Sequence, residues 1–382
     1  MRNLFNELHL TQLRARTSAK WQKYGDEVIP MWVAEMDVPI AKEITAAVTQ
    51  ALHIGDTGYP FTSTYQDAFR EFASQTWNWE VAHVNTRITT DVMGGVQQIL
   101  NLHSKKGDRV AVSSPVYPPF YSYPQDLGLQ VVSSPLTPAG RIDLENLAEV
   151  FKNVKAYLLC NPHNPTGMIP SRGELLELLQ LANANGVTII SDEIHAPLVD
   201  PTMFTPIMEL PGSQAAYSLH SASKGWNLAG LKAALIVSGE ESQKALRRSP
   251  QSAGNGASHL ALIAQSAAYN NARPWLHAVR EAIKENQQYF HEQLKAQIPD
   301  ATSVIPPSTY LTWVDFTEVR TASGKSLGED PARFFLENAK VAFNHGPTFG
   351  VGGEGKLRVN IATNQAIISQ ALRQLRFALE NN

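Results

Sequence analysis

The sequence has little of what defines several classes of protein. Its 382 residues include one cysteine, Cys160, which excludes an intrachain disulfide and suits a reducing compartment. Cys160 ends an apolar stretch, so we interpret it as a packing residue. No run of apolar residues approaches the ~18 that a membrane span needs. The 32 basic and 35 acidic residues nearly balance, which favours neither nucleic acid nor an anionic membrane as a partner.

Further absences concern location, metals and nucleotides. The first nine residues carry charge where a signal peptide needs an apolar core, so we expect a cytoplasmic protein. The eleven histidines are scattered along the chain, and we predict no metal site. Residues 350–355 fit the dinucleotide pattern G-x-G-x-x-G, but a strand-like segment follows where that motif requires a helix. We interpret these glycines as a loop.

What the middle of the chain contains is an alternation of short apolar strands with helical patterns. The predicted strands cover residues 109–113, 156–160, 187–191, 215–220 and 233–238. Ser171 and Glu174 form a capping box for the helix that follows, and Gly186 ends it. This alternation predicts an α/β fold with a mostly parallel sheet.

The length of the chain predicts two domains. We expect a large domain over residues 46–285 and a smaller α+β domain formed by residues 1–45 together with 286–382. A long amphipathic helix over residues 274–298 is expected to lead out of the large domain.

One lysine is distinguished by its neighbours. Lys224 follows an apolar strand within the segment Ser221-Ala-Ser223-Lys224-Gly, and a second cation, Lys232, lies eight residues further on. Two hydroxyl groups and a second cation suit a phosphate beside a reactive amine. On this segment alone, an ordinary surface lysine is an equally good interpretation.

Three more segments place polar groups at strand ends or at the start of a helix. Asn164 lies in a turn after a predicted strand, where its amide could bond a phenolate oxygen. Asp192 ends another strand and could keep a pyridinium nitrogen protonated. Gly94 and Gly95 open an apolar helix, whose first N–H groups would face an anion. Taken singly, these are also ordinary turn, capping and glycine positions.

In this order, the segments resemble the fold-type I pyridoxal phosphate (PLP) enzymes of the aspartate aminotransferase superfamily, over about residues 32–363. The resemblance implies a PLP-dependent transferase-like fold. It implies a Schiff base on Lys224, Asp192 on the pyridine nitrogen and Asn164 on the ring oxygen. Arg358 would hold the substrate α-carboxylate. The residues implied for the phosphate are Gly95, Val96, Ser221, Ser223 and Lys232, the last of which stands where many relatives have arginine.

Finer resemblance is to the MalY/PatB group of cystathionine β-lyases and cysteine-S-conjugate β-lyases. It depends on Pro-Met-Trp-Val-Ala-Glu-Met-Asp at residues 30–37, on Gly-Tyr-Pro at 58–60 and on Asp-Glu-Ile-His at 192–195. By this resemblance Tyr117 stacks on the cofactor ring and is catalytic with Lys224 and Asp192. His195 stands near the cofactor, where many transaminases have a tyrosine. Tyr59 would reach the phosphate and substrate of the neighbouring subunit in a homodimer.

Two departures from the group leave substrate preference open. Glu35 replaces a usual aspartate, and Thr363-Asn364 replace a frequent Cys-Pro-Arg. The implied reaction is α,β-elimination from L-cystathionine or another L-cysteine S-conjugate, which gives a thiol, pyruvate and ammonia. An aminotransferase on the same cofactor is the alternative enzyme. A PLP-fold module that regulates transcription has less support, because the chain carries no appended DNA-binding segment.

Overall fold

The computed structural model describes residues 3–61, 63–249 and 256–382. The chain divides into two compact units, which we name the terminal unit and the central unit. The terminal unit comprises Met1–Pro39, Asn164–Gly167 and His277–Asn382, and the central unit comprises Ile40–His163 and Met168–Leu276. The domain boundaries expected after residues 45 and 285 stay a prediction.

Strands and helices alternate along the described residues. The strands are β1 (Ile29–Pro30), β2 (Thr86–Thr89), β3 (Arg109–Val112), β4 (Gln130–Ser133), β5 (Ala156–Cys160), β6 (Thr188–Asp192), β7 (Tyr217–His220), β8 (Ala234–Ser238), β9 (Thr302–Ser303), β10 (Leu311–Asp315), β11 (Val341–Ala342), β12 (Asn344–His345) and β13 (Lys356–Asn360). The helices are α1 (Leu10–Arg14), α2 (Ala19–Gln22), α3 (Lys42–His53), α4 (Thr64–Trp77), α5 (Val92–His103), α6 (Pro119–Asp126), α7 (Leu144–Val150), α8 (Arg172–Asn185), α9 (Gln243–Arg248), α10 (His259–Asn271), α11 (Arg273–Gln297), α12 (Pro331–Ala339) and α13 (Gln365–Glu380).

In the described part of the central unit, seven strands form one sheet in the order β2-β8-β7-β6-β5-β3-β4. Five adjacent strands run parallel to one another, in the order β7-β6-β5-β3-β4. Strand β8 runs antiparallel to both of its neighbours, β7 and β2. The predicted α/β fold with a mostly parallel sheet is confirmed. Because β5, β6 and β7 are parallel, their carboxyl ends lie at one edge of the sheet, where α/β folds bind ligands.

Both faces of this sheet are covered, which explains the continuous apolar runs of its strands. Leu158 and Ile190 pack on one face with residues of α5, and Cys160 lies in the same cluster. Their neighbours Leu159 and Ile189 point to the other face and pack with residues of α8. The packing interpretation of Cys160 is therefore confirmed.

Helix α8 begins and ends at the predicted signals. The Ser171 hydroxyl oxygen accepts from the backbone N–H of Glu174, and a Glu174 carboxylate oxygen accepts from the N–H of Ser171 at 2.8 Å. Gly186 ends the helix at φ 66°, a left-handed conformation that favours glycine. Capping signals are local, so the sequence alone predicts them well.

The described part of the terminal unit contains an antiparallel sheet of four strands, in the order β12-β13-β10-β9. Strands β1 and β11 form a separate parallel pair. Helix α11 covers the predicted long helix within one residue at each end. Residues 350–355 form a loop that leads into β13, so no dinucleotide motif is built there. Strand β13 carries Arg358.

Within the described ranges, no helix is both long and apolar enough to cross a membrane. In those same ranges, no three or more His, Cys, Asp or Glu side chains are grouped to hold a metal ion.

Candidate active site

Asp192 is the last residue of β6 and lies at the carboxyl edge of the central sheet. Its side chain is buried, and its Oδ1 accepts from the backbone N–H of Ile194 at 3.0 Å. Burial raises the pKa of Asp192 to about 6, while the Ile194 N–H and the positive charge of Lys224 act in the opposite direction. The carboxyl group is therefore mostly ionised at neutral pH and is stabilised by a nearby cation.

Lys224 lies in a turn that follows β7 directly. The Ser221 hydroxyl donates to the carbonyl of Ala233 at 2.7 Å, and the backbone N–H of Ser223 donates to the Ser221 oxygen at 3.2 Å. The carbonyl of Ser223 accepts from the N–H of Leu228 at 2.8 Å. The two serines thus shape the turn that presents the lysine.

Gln265, in helix α10, forms hydrogen bonds with the same turn. Its Oε1 accepts from the N–H of Ala222 at 3.0 Å, from the Ser221 hydroxyl at 3.1 Å and from the Tyr65 hydroxyl at 2.9 Å. Its Nε2 donates to the carbonyl of Ala233 at 3.0 Å. Sequence reasoning missed this buried residue. The available signal was an amide, Gln265, in the middle of a helix where its immediate neighbours are small.

The start of α5 lies against the strand that leads to Lys224. A Cβ atom at Gly95 would be 2.4 Å from Leu219 Cδ2 in β7, so a side chain at this position would force the buried Leu219 side chain to shift. Asp91 caps the helix, with Oδ1 accepting from the N–H of Gly94 at 2.8 Å. The other Asp91 oxygen lies 2.9 Å from Lys232 Nζ, and this contact raises the pKa of Lys232. Lys232 is thus held beside the amino end of α5.

The remaining predicted residues of the central unit differ in exposure. Val96 and His195 are buried, and Tyr117 is half-buried, with its ring edge-on to Phe120 at a centroid distance of 6.1 Å. Tyr59 is 99% exposed in the single chain.

Arg358 is the centre of a second cluster, which belongs to the terminal unit. Its side chain is 4% exposed, and Nη1 donates to Asn164 Oδ1 at 2.9 Å. Nη2 donates to Asn344 Oδ1 at 2.7 Å and to the carbonyl of Trp32 at 3.1 Å. The guanidinium carbon lies 5.2 Å from the centroid of the Phe349 ring. Three acceptors and a ring therefore fix the orientation of this cation.

The structure brings together two groups of predicted residues, each within one unit. Asn164 and Arg358 contact each other in the terminal unit. Asp192 lies within the electrostatic influence of Lys224 in the central unit. Asn344 was missed, because it meets Arg358 through the antiparallel register of β12 and β13, which leaves no local signal in the sequence.

Residues 28–375 match the family model of aminotransferase class I and II, and the chain belongs to that family. A protein of Mycobacterium leprae (strain TN), provisionally named a cystathionine beta-lyase, is 43% identical over 397 residues and 99% of each chain. Cystathionine beta-lyase PatB of Bacillus subtilis (strain 168) is 33% identical over 95% of this chain and 96% of its own length. The crystal structure of the PLP-bound C-S lyase from Staphylococcus hominis is 28% identical, with a TM-score of 0.90 over 99% of both chains.

Proposed function

We propose that this chain is a PLP-dependent C–S β-lyase. It performs α,β-elimination on L-cystathionine or another L-cysteine S-conjugate and releases a thiol, pyruvate and ammonia. The observation that carries the proposal is the pairing of a buried strand-end acid, Asp192, with the charge of Lys224 at the carboxyl edge of the central sheet. The relatives named as cystathionine beta-lyases and as a C-S lyase support the same reaction.

The residues of the central unit fit PLP. The cofactor has a basic ring nitrogen, and the buried Asp192 carboxylate is suited to hold a proton on it. The cofactor also has an aldehyde, for which Lys224 is the amine, and a phosphate. The phosphate would lie near the start of α5, where the helix dipole favours an anion. The residues that would hold the phosphate are Gly95, Val96, Ser221, Ser223 and Lys232.

Once bound, PLP supplies an electron sink for negative charge at the substrate α-carbon. Lys224 Nζ would hold the cofactor and would then accept the substrate α-proton as the general base. Arg358 holds the substrate α-carboxylate through charge-assisted hydrogen bonds. Asn164 Oδ1 accepts from Arg358, and in this proposal the Asn164 amide group would donate to a cofactor oxygen. Tyr117 and His195 complete the proposed cofactor contacts.

The proposed reaction is tested with purified protein, L-cystathionine and a panel of S-substituted L-cysteines. Stoichiometric thiol, pyruvate and ammonia are expected, and Lys224→Ala protein should produce none of them. An aminotransferase would convert the intact substrate into its keto acid without releasing a thiol. That product pattern would replace the proposed function with the alternative.

We also propose a homodimer whose active sites are shared between subunits. Large apolar side chains are exposed near the end of α3 in the single chain, which supports burial against a second copy. They are Leu52, Ile54, Tyr59 and Phe61. In this proposal Tyr59 contacts the phosphate and substrate in the partner's site. A cytoplasmic location remains a prediction of the sequence.

The shared site is tested by mixing two inactive or weakened chains. A heterodimer of Tyr59→Phe and Lys224→Ala chains would have one site with both changes and one site with neither. Activity per chain should therefore rise after subunit exchange. An active monomer in sedimentation, or no gain of activity on mixing, would contradict the proposal.

A further inference from the structure

An irregular segment of the terminal unit has its backbone carbonyls bonded by side chains. Residues 32–36, here named the clamped segment, form neither helix nor strand. Each of their carbonyl oxygens nevertheless accepts a hydrogen bond from a side chain. The pairs are Arg358 to Trp32 (3.1 Å), Asn360 to Val33 (2.6 Å), Tyr310 to Ala34 (3.0 Å), Asn360 and Lys20 to Glu35 (2.7 and 3.1 Å), and Arg16 to Met36 (3.1 Å).

Four of the five donors of this clamp are buried, and the fifth, Arg16, has a side chain that is 31% exposed. Tyr310 and Asn360 are wholly buried, and Lys20 is 1% exposed. Lys20 also forms an ion pair of 2.7 Å with Asp37, which is equally buried and accepts from the Trp21 indole N–H at 3.0 Å. A buried ion pair costs desolvation and adds little net stability. Its presence here is better explained by a need to fix one backbone position.

The clamp includes the arginine of the candidate site. Arg358 and Asn360 are two residues apart on β13, so their side chains lie on the same face of the strand. Both reach the clamped segment, Arg358 at Trp32 and Asn360 at the next carbonyl, that of Val33. A displacement of this segment would therefore remove or redirect one of the acceptors that orient the guanidinium group.

We propose that Tyr310, Asn360 and Lys20 are positioning residues for substrate binding. By fixing the clamped segment, they hold the Arg358 guanidinium in the orientation that receives the substrate carboxylate. This inference rests on the proposed function, in which Arg358 binds that carboxylate. None of the three residues needs to touch the reacting atoms.

Tyr310→Phe is the sharpest variant, because it deletes one hydroxyl group and keeps the ring that fills the core. In the holoenzyme we expect KM for S-methyl-L-cysteine to rise about five-fold, with kcat nearly unchanged. The matched control is Tyr289→Phe. The Tyr289 hydroxyl bonds Ser369 in the same unit and contacts no carbonyl of the clamped segment. Its loss should leave KM unchanged.

A binding measurement separates positioning from a purely structural role. The probes are 3-(methylthio)propanoate, which has the carboxylate but no amine, and 2-(methylthio)ethylamine, which has the amine but no carboxylate. Calorimetry on the Tyr310→Phe holoenzyme should show about five-fold weaker binding of the acid and unchanged binding of the amine. Unchanged binding of the acid, or equal weakening of both probes, would overturn the inference.

The two proposals fail in different ways. If the unaltered enzyme released no thiol from any substrate, the proposed lyase function would be wrong, whereas the acid and amine probes would still decide the role of the clamp. If the unaltered enzyme were active and Tyr310→Phe bound the acid as well as the parent, the clamp inference alone would be wrong.

Discussion

Asp192 and Lys224 in the central unit are placed by neighbouring parallel strands, whereas Arg358 in the terminal unit is oriented by side chains and an irregular segment. In the first case the β6–β7 register, with Asp192 opposite Leu219, sets where each strand ends. In the second, each carbonyl of residues 32–36 accepts from at least one side chain, and Asn360 donates to two of them.

The difference shows what each solution requires. Strands satisfy their backbone groups through the sheet, so the position of a strand-end residue needs few special side chains. An irregular buried segment needs a separate partner for each carbonyl, and a missing donor leaves an oxygen unsatisfied at about 1–3 kcal/mol. We therefore expect substitutions of Asp192 or Lys224 themselves to abolish most activity in the central unit. In the terminal unit, we expect substrate binding to weaken also when a donor distant from the substrate is removed.

The largest effect is expected for Lys224→Ala. The variant loses both the attachment point of the cofactor and the general base, so activity should fall by more than about 10⁴-fold. Borohydride reduction and peptide mapping of the parent should place the cofactor on Lys224. Lys244→Ala, at an exposed position in α9, should keep both label and activity. A label on another lysine would contradict the assignment.

Asp192→Asn should retain the cofactor but lose activity on the order of 10³-fold, because an amide cannot hold the ring nitrogen protonated. The measurement is kcat/KM together with the amount of bound cofactor. A variant within tenfold of the parent would show that another group performs this role.

Arg358→Lys tests whether the orientation of the guanidinium group in the terminal unit matters for substrate binding. The planar guanidinium group donates to three acceptors, and lysine would replace it with a point charge. We therefore expect kcat/KM to fall about 10²-fold, mostly through KM. Lys356→Ala, on the same strand, removes an ammonium group 3.6 Å from Asp315 and should leave KM unchanged. Equal effects of the two substitutions would remove the special role of Arg358.

Gln265→Leu tests whether strand ends alone place Lys224, because the Gln265 side chain also bonds the turn that carries this lysine. The variant leaves the buried N–H of Ala222 without its acceptor, and we expect a loss of about 1–3 kcal/mol in unfolding free energy. Activity of the folded fraction should fall less than tenfold if strand ends dominate the placement of Lys224. A larger loss would make the central site as dependent on side-chain donors as the terminal one.

The last prediction concerns the pH dependence of stability and Glu193, which follows Asp192 and is wholly buried. It accepts from the N–H of Ile207 at 3.1 Å and from the Ser191 hydroxyl at 3.0 Å, but burial dominates and raises its pKa from 4.5 to about 8. Between those pH values the native state keeps a proton that the unfolded chain releases, so stability falls as pH rises.

Glu193→Gln has no such proton to lose. Its Tm should fall less than that of the parent between pH 5 and pH 8, and the two proteins should differ least at the acidic end. Thermal unfolding of both proteins across this range provides the measurement. Parallel curves would indicate that Glu193 is ionised in the native state.

Local signals in the sequence predicted the strands β3, β5, β6, β7 and β8, the ends of α8 and the course of α11, because periodicity and capping depend on neighbouring residues. They also placed Asp192 at a strand end. The antiparallel direction of β8 and the contact of Asn344 with Arg358 depend on strand pairing, which no local pattern specifies. Gln265 depends on how a helix faces a distant turn.

The clamp donors bond the main-chain carbonyls of residues 32–36, which are the same for every amino acid. Glu35 is an example: its carboxylate accepts from the Ser18 hydroxyl at 2.6 Å while its carbonyl accepts from Lys20 and Asn360. Side chains at residues 33–35 can therefore be exchanged while the carbonyl acceptors of the clamp stay in place. For directed evolution of substrate range, this segment is the first place to diversify.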